Sequence, residues 1–187
     1  MEIRHDKHEW IKQHEQRTTI IQALHQPMTA SQLADVSGIA EAICAHVLRA
    51  MQKQDIVTCL NPTARRSRVF GLTTEGRTIR KGMLELHSQD YIAPVIDWDL
   101  YGFLCYAHRT AVILALDGAM RPADIKRRIL FTQEGVCISC NNIRDLLKEL
   151  LNYGVVEREI VGKSPFYSYR LTPEGEVYQR MLLRVQP

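Results

Sequence analysis

Long hydrophobic runs are missing from this chain. Its longest apolar-rich stretch, residues 91–107, is broken by Asp97 and Asp99 and falls short of the roughly 20 residues that a membrane-spanning helix needs. The opening residues, MEIRHDKHEWIKQHEQR, lack the apolar segment of a secretory signal. Cysteine is sparse and odd in number, five at irregular spacing. That argues against a disulfide framework and for a reducing, cytoplasmic setting. No excess of one charge sign exists beyond +3, which permits a nucleic-acid partner without requiring one. No Ser-His-Asp set, carboxylate pair or glycine-rich phosphate loop occurs in a usable context, so the reading is non-enzymatic and without cofactor. Cys137 and Cys140 form a single CxxC. Zinc would need two further ligands, and no second CxxC or nearby His pair supplies them, so no metal site is expected. A redox role for the pair stays open, because a thiolate close to a helix N-terminus is stabilised. His5, His8 and His14 are loosely spaced and read as solvated.

What is present is an ordinary globular composition, 45% apolar and 24% charged, and an internal repeat. RTTIIQALHQPMTASQL, from Arg17, matches RTAVILALDGAMRPADI, from Arg109, at an offset of 92 (109 − 17). Further on, LRAMQKQDIVTCL…FGLTTEG, from Leu48, matches LKELLNYGVVERE…YRLTPEG, from Leu147, at an offset of 99 (147 − 48). The second copy therefore carries seven extra residues (99 − 92), placed around 131–136.

Each copy predicts the same order of elements. A first helix covers 15–25 and 106–116. The second starts at a Thr29 cap in one copy and at Pro122 in the other, where proline suits the first helical position. A third covers about 39–54 and 141–153, the latter stopped by Gly154. The apolar face of the first of these is Ile43 or Cys44 with Val47, Leu48 and Met51, at helical spacing. Strands follow at 56–60 with 69–72, and at 155–161 with 166–171. Their tips, NPTARRSR and GKSP, carry turn punctuation. Thr73 and Thr172 cap further helices over about 74–87 and 173–184. Two helices about the Gly38 turn, the second running into a strand, make a helix-turn-helix of the winged type. Leu33-Ala34-Asp35, Gly38-Ile39, Val47-Leu48, Met51 and Ile56-Val57 resemble the corresponding part of the MarR-like winged-helix regulators of archaea and bacteria.

The fold class expected is mainly α with small β-hairpins (α+β). It comprises two tandem winged helix-turn-helix domains, 1–90 and 105–187, joined by an aromatic connector at 91–104. The joining stretch 89–107 holds five of the thirteen aromatic residues, Tyr91, Trp98, Tyr101, Phe103 and Tyr106. Rings at that density will not sit in water. They either pack the two halves together or form the seam of a homodimer.

The resemblance implies a sequence-specific regulator of transcription that binds double-stranded DNA, with the third helices in the major groove and a basic wing on phosphates or the minor groove. Carried over by position, the first copy presents Ala40, Glu41, Ala42, Ile43, Ala45, His46 and Arg49. This face is poor in donors and is led by a carboxylate. The second copy presents Ser139, Cys140, Asn141, Asn142, Arg144, Asp145 and Lys148. Asparagine suits adenine and arginine suits guanine. One of Asn141 and Asn142 is open to use as a helix cap, which would leave the other free. The tips differ in the opposite sense. Arg65, Arg66 and Arg68 crowd the first, with Arg77, Arg80 and Lys81 beyond, as phosphate contact favours. The second has Lys163, weakened by Glu157 and Glu159. Lys126, Arg127 and Arg128 would add backbone contacts. The competing function is a winged-helix protein–protein adaptor in transcription or replication machinery, which the bland first recognition helix favours.

Overall fold

A computed structural model of the chain describes residues 7–84, 95–160 and 167–186. Tyr91, Lys163, Phe166 and the end of the helix expected over 74–87 lie outside them. The described residues are mainly helical, with two small antiparallel sheets among them. It divides into two compact units, Met1–Gly102 with Val185–Pro187, and Phe103–Arg184.

The first unit begins with α1 (Lys7–Lys12), α2 (Glu15–Ala23) and the short β1 (Met28–Thr29). It continues through α3 (Ala30–Ser37), α4 (Glu41–Lys53), β2 (Val57–Cys59), β3 (Val69–Leu72) and α5 (Thr74–Leu84). Thr29 starts α3 with a capping box. Its hydroxyl accepts from the Gln32 amide at 3.2 Å, and the Gln32 side chain accepts from the Thr29 amide at 3.0 Å. Gly38 ends the helix in the left-handed region, at φ 71°, where glycine has no Cβ to clash. Cys44, Val47, Leu48 and Met51 form the buried face of α4, while Ile43 stays 37% exposed. They join Ile20, Ile21, Leu24, Leu33, Ile56 and Val185 in one core. Each such aliphatic side chain contributes about 1.5–3 kcal/mol by leaving water.

The second unit runs α7 (Ala107–Ala115), α8 (Pro122–Thr132), α9 (Cys140–Asn152), β4 (Val156–Ile160), β5 (Tyr167–Leu171) and α10 (Pro173–Leu183). Ile143, Leu147 and Leu150 form the buried face of α9. Before α7 comes α6 (Trp98–Leu104), and the division between units falls inside it, after Gly102.

The two units share pairings at both sequence offsets. Met28 pairs with Phe70, and Met120 pairs with Tyr169. In the first unit this contact grows into strand β1, giving the sheet order β1-β3-β2; in the second it stays a single bridge. Thr73 Oγ1 donates to the Ile56 carbonyl at 3.1 Å and accepts from the Gly76 amide at 3.1 Å. Thr172 Oγ1 does the same with Val155 at 3.2 Å and Gly175 at 3.0 Å. The α4–β2 turn takes its left-handed residue from Asp55 (φ 54°), and the α9–β4 turn takes it from Gly154 (φ 68°). The likeness also begins earlier than the sequence match. Arg17 stacks 3.7 Å from the Trp10 ring centre, and Arg109 stacks 3.7 Å from that of Phe103. This makes α6 the counterpart of α1. The seven extra residues are split. Helix α8 has 11 residues against 8 in α3, and the loop before α9 takes up the other four.

Among the described connector rings, Trp98, Tyr101 and Phe103 have partners within their own units, and Tyr106 is 39% exposed. Trp98 meets Tyr101 edge-on at 5.9 Å, and Gln32 Nε2 donates to the Tyr101 hydroxyl at 3.4 Å. Phe103 packs on Tyr153 at 5.0 Å.

Candidate nucleic-acid interface

The loop between β2 and β3 holds, within residues 61–68, the arginines Arg65, Arg66 and Arg68. It is organised from inside by Asn61, which is 2% exposed. Asn61 Oδ1 accepts from the Val69 amide at 2.7 Å, and its Nδ2 donates to the Ser67 carbonyl at 3.2 Å. The Asn61 carbonyl accepts from the Ala64 amide at 3.1 Å. Ser67 sits at φ 48°, a conformation uncommon outside glycine and fixed here by that bond. Gly102 of α6 abuts the same loop. A Cβ there would stand 2.6 Å from the Ser67 carbonyl oxygen and 2.7 Å from Asn61 Nδ2. The Thr63 hydroxyl donates to the Asp99 carboxylate at 3.4 Å. The loop is thus pinned at its base, and its arginines project from a fixed frame.

The arginines divide into two kinds. Arg65 and Arg66 are exposed and have no hydrogen bond or ion pair among the described residues. Arg68 is exposed but donates through Nε to the Ala64 carbonyl at 3.0 Å. Of the positive residues beyond the loop, Arg77 and Arg80 are bonded within their own unit. Arg77 bonds the Leu72 carbonyl at 2.9 Å and Thr74 Oγ1 at 3.1 Å. Arg80 is half-buried and bonds the Gln22 carbonyl at 3.1 Å. Both clasp α5 to the unit. Burial lowers the Arg80 pKa from its ordinary value.

On α4, His46 and Arg49 are exposed, as are Glu41 and Ala42. On α9 the cap is Ser139, whose hydroxyl accepts from the Asn142 amide at 3.1 Å. Neither asparagine serves as the cap, and both stand exposed. Asn141 Oδ1 accepts from Arg144 Nη1 at 2.8 Å, one helical turn on. Lys148 pairs with Asp145 at 2.9 Å, an exposed pair of little energetic weight. Asn141, Arg144 and Lys148 lie at helical spacing along one side of α9, with Asn142 exposed on another side, while Lys163 lies outside the described residues. The α8 run is largely neutralised: Arg127 contacts Asp124, and Arg128 pairs with Asp117 at 3.0 Å.

Cys137 is exposed and Cys140 half-buried, and both are free thiols. No group of three or more His, Cys, Asp or Glu side chains that could hold a metal ion occurs among the described residues. No described helix is long and apolar enough to cross a membrane.

Sequence reasoning missed Asn61, Asp99 and Gly102. The only signal for Asn61 was the Asn-Pro step that opens the loop. The other two lie in a segment read for its rings. Compared with known proteins, the chain matches no family model, no curated protein and no solved structure.

Proposed function

We propose that the chain is a tandem winged helix-turn-helix protein, each unit supplying three helices and a hairpin wing, and that it is a non-catalytic regulator bound to double-stranded DNA. The observation that carries this reading is the rigid basic loop. Arg65 and Arg66 have no partner among the described residues and stand on a frame fixed by Asn61. Cations held this way suit phosphates or a narrow minor groove. Helix α9 supplies the reading face: Asn142 with the linked Asn141 and Arg144, and Lys148 toward the backbone. His46 and Arg49 on α4 add positive or donor groups behind Glu41, so the first copy reads less than the second. A cytoplasmic setting and a homodimer on a two-fold operator are part of the same proposal.

A protein–protein adaptor is the second reading. It draws on Ile43, 37% exposed beside Ala42 on the outer face of α4.

Binding to random duplex DNA over a salt series separates the two. A DNA-binding parent gives a negative slope of log K against log salt. Replacing Arg65 and Arg66 by Ala flattens it by about 1.8, at ~0.9 per phosphate contact, and weakens all sequences alike. Replacing Asn142 by Ala leaves the slope in place and costs about 1–3 kcal/mol on the preferred site only. A parent that binds no duplex at low salt hands the function to the adaptor.

A further inference from the structure

The second hairpin sorts its side chains by chemistry. Successive strand residues alternate between faces. Val156 with Leu171, Arg158 with Tyr169, and Ile160 with Tyr167 therefore share one face, and Glu157 with Arg170 and Glu159 with Ser168 share the other. On the second face Arg170 answers both carboxylates. Its Nε donates to Glu157 at 2.6 Å, and its Nη1 stands 3.8 Å from Glu159. The acidic residues that weakened this hairpin in the sequence are thus offset and turned away. On the first face the Arg158 guanidinium lies 4.7 Å from the Tyr167 ring centre. Tyr167 is 45% exposed, and Ile160, directly across from it, is 61% exposed. A flat ring, a cation over one of its faces and an apolar flank lie together at the outer end of the strands, with no carboxylate among the paired residues of that face.

We propose that this face of the second hairpin is a stacking platform for an unpaired base of a nucleic-acid strand. Tyr167 carries the base on the ring face that Arg158 does not cover, Ile160 flanks it and Arg158 meets the neighbouring phosphate. Base-on-aromatic stacking tolerates any sequence, because every base has a π-face, and it works with a cation that tracks the backbone. A paired base inside a duplex has both faces covered by its neighbours. The platform therefore selects opened or single-stranded nucleic acid. This rests on nucleic acid being the chain's ligand and goes beyond the duplex reading.

The test measures fluorescence anisotropy of labelled oligo(dT) and of a random duplex, side by side at low salt. The proteins are the full-length parent, Tyr167→Phe and Tyr167→Leu. The Leu variant should bind oligo(dT) roughly 5- to 150-fold more weakly, the loss expected for one stacked base. The Phe variant should match the parent, and duplex binding should be the same in all three. Oligo(dT) binding by the Leu variant at parental strength, which leaves the face to a protein partner, overturns the platform. So does a parent that does not bind oligo(dT) at all. Ring-dependent oligo(dT) binding without duplex binding overturns the duplex reading alone.

Discussion

Gly76 lies so close beneath the Ile56 carbonyl that a Cβ on it would stand 2.1 Å from the oxygen, and Gly175 repeats this under Val155 at 2.0 Å. The carbonyl is backbone, anchored by the amide of Thr73 in one unit and of Thr172 in the other, so it has little room to yield. Gly76→Ala and Gly175→Ala should each destabilise the protein by about 2 kcal/mol or more, as overpacking against fixed atoms does. Denaturant midpoints measure this. Losses under about 0.5 kcal/mol in both variants would mean that the helices after the hairpins slide freely on them.

Asn61→Ala leaves the buried Val69 amide without its acceptor and the Ser67 carbonyl without its donor. The expected loss is about 1–3 kcal/mol, and the damage should concentrate in the loop. Trypsin should cut at Arg65, Arg66 or Arg68 sooner than in the parent, because loosened exposed segments are the preferred nicking sites. Asn61→Asp keeps an acceptor for Val69 and should give an intermediate rate. Parental cleavage in the Ala variant would show that the loop is framed by other contacts.

Cys44 provides a pH dependence. Burial, the largest influence, pushes its thiol above the ordinary 9.0, against smaller lowering from the Ser37 hydroxyl. The folded protein therefore keeps a proton that the unfolded chain gives up. Above about pH 9 the unfolded state binds fewer protons, so stability falls as pH rises; below that value the thiol is neutral in both states and contributes no slope. Cys44→Ala should remove part of the alkaline fall between pH 8 and pH 10. Identical pH profiles for parent and variant would place the thiolate in water.

The sequence carried the element order well, because caps, glycines and helical spacing are local signals. Thr29, Gly38, Thr172 and the buried face of α4 each announce themselves within a few residues. Gly154 was legible as a stop for the same reason, whereas Asp55, which holds the same turn in the first copy at φ 54°, was not, since aspartate has many other uses. The site was harder to read. A count of positive residues placed Arg77 and Arg80 with the basic loop, but charge says nothing about partners: Arg80 turns inward to the Gln22 carbonyl, and Arg77, though exposed, bonds the Leu72 carbonyl. Ser139 rather than an asparagine caps α9, because three neighbouring residues were equally good caps and only backbone geometry picks one. The frame around Asn61 depends on Gly102 and Asp99, which are 41 (102 − 61) and 38 (99 − 61) residues away, beyond the reach of any local pattern.

Val185 belongs to the core of the first unit, 2% exposed among residues that otherwise end at Ile79 and Met83. On a ribosome making this chain, the first half emerges with one piece of its interior still unmade, and that piece arrives only after the whole second unit has been synthesised. The first half therefore stays incomplete for the entire interval, and a fragment cut at residue 102 would keep that gap for good. The two halves repeat one plan in sequence, but they are not interchangeable in time: the first waits for a residue that is made only after the second.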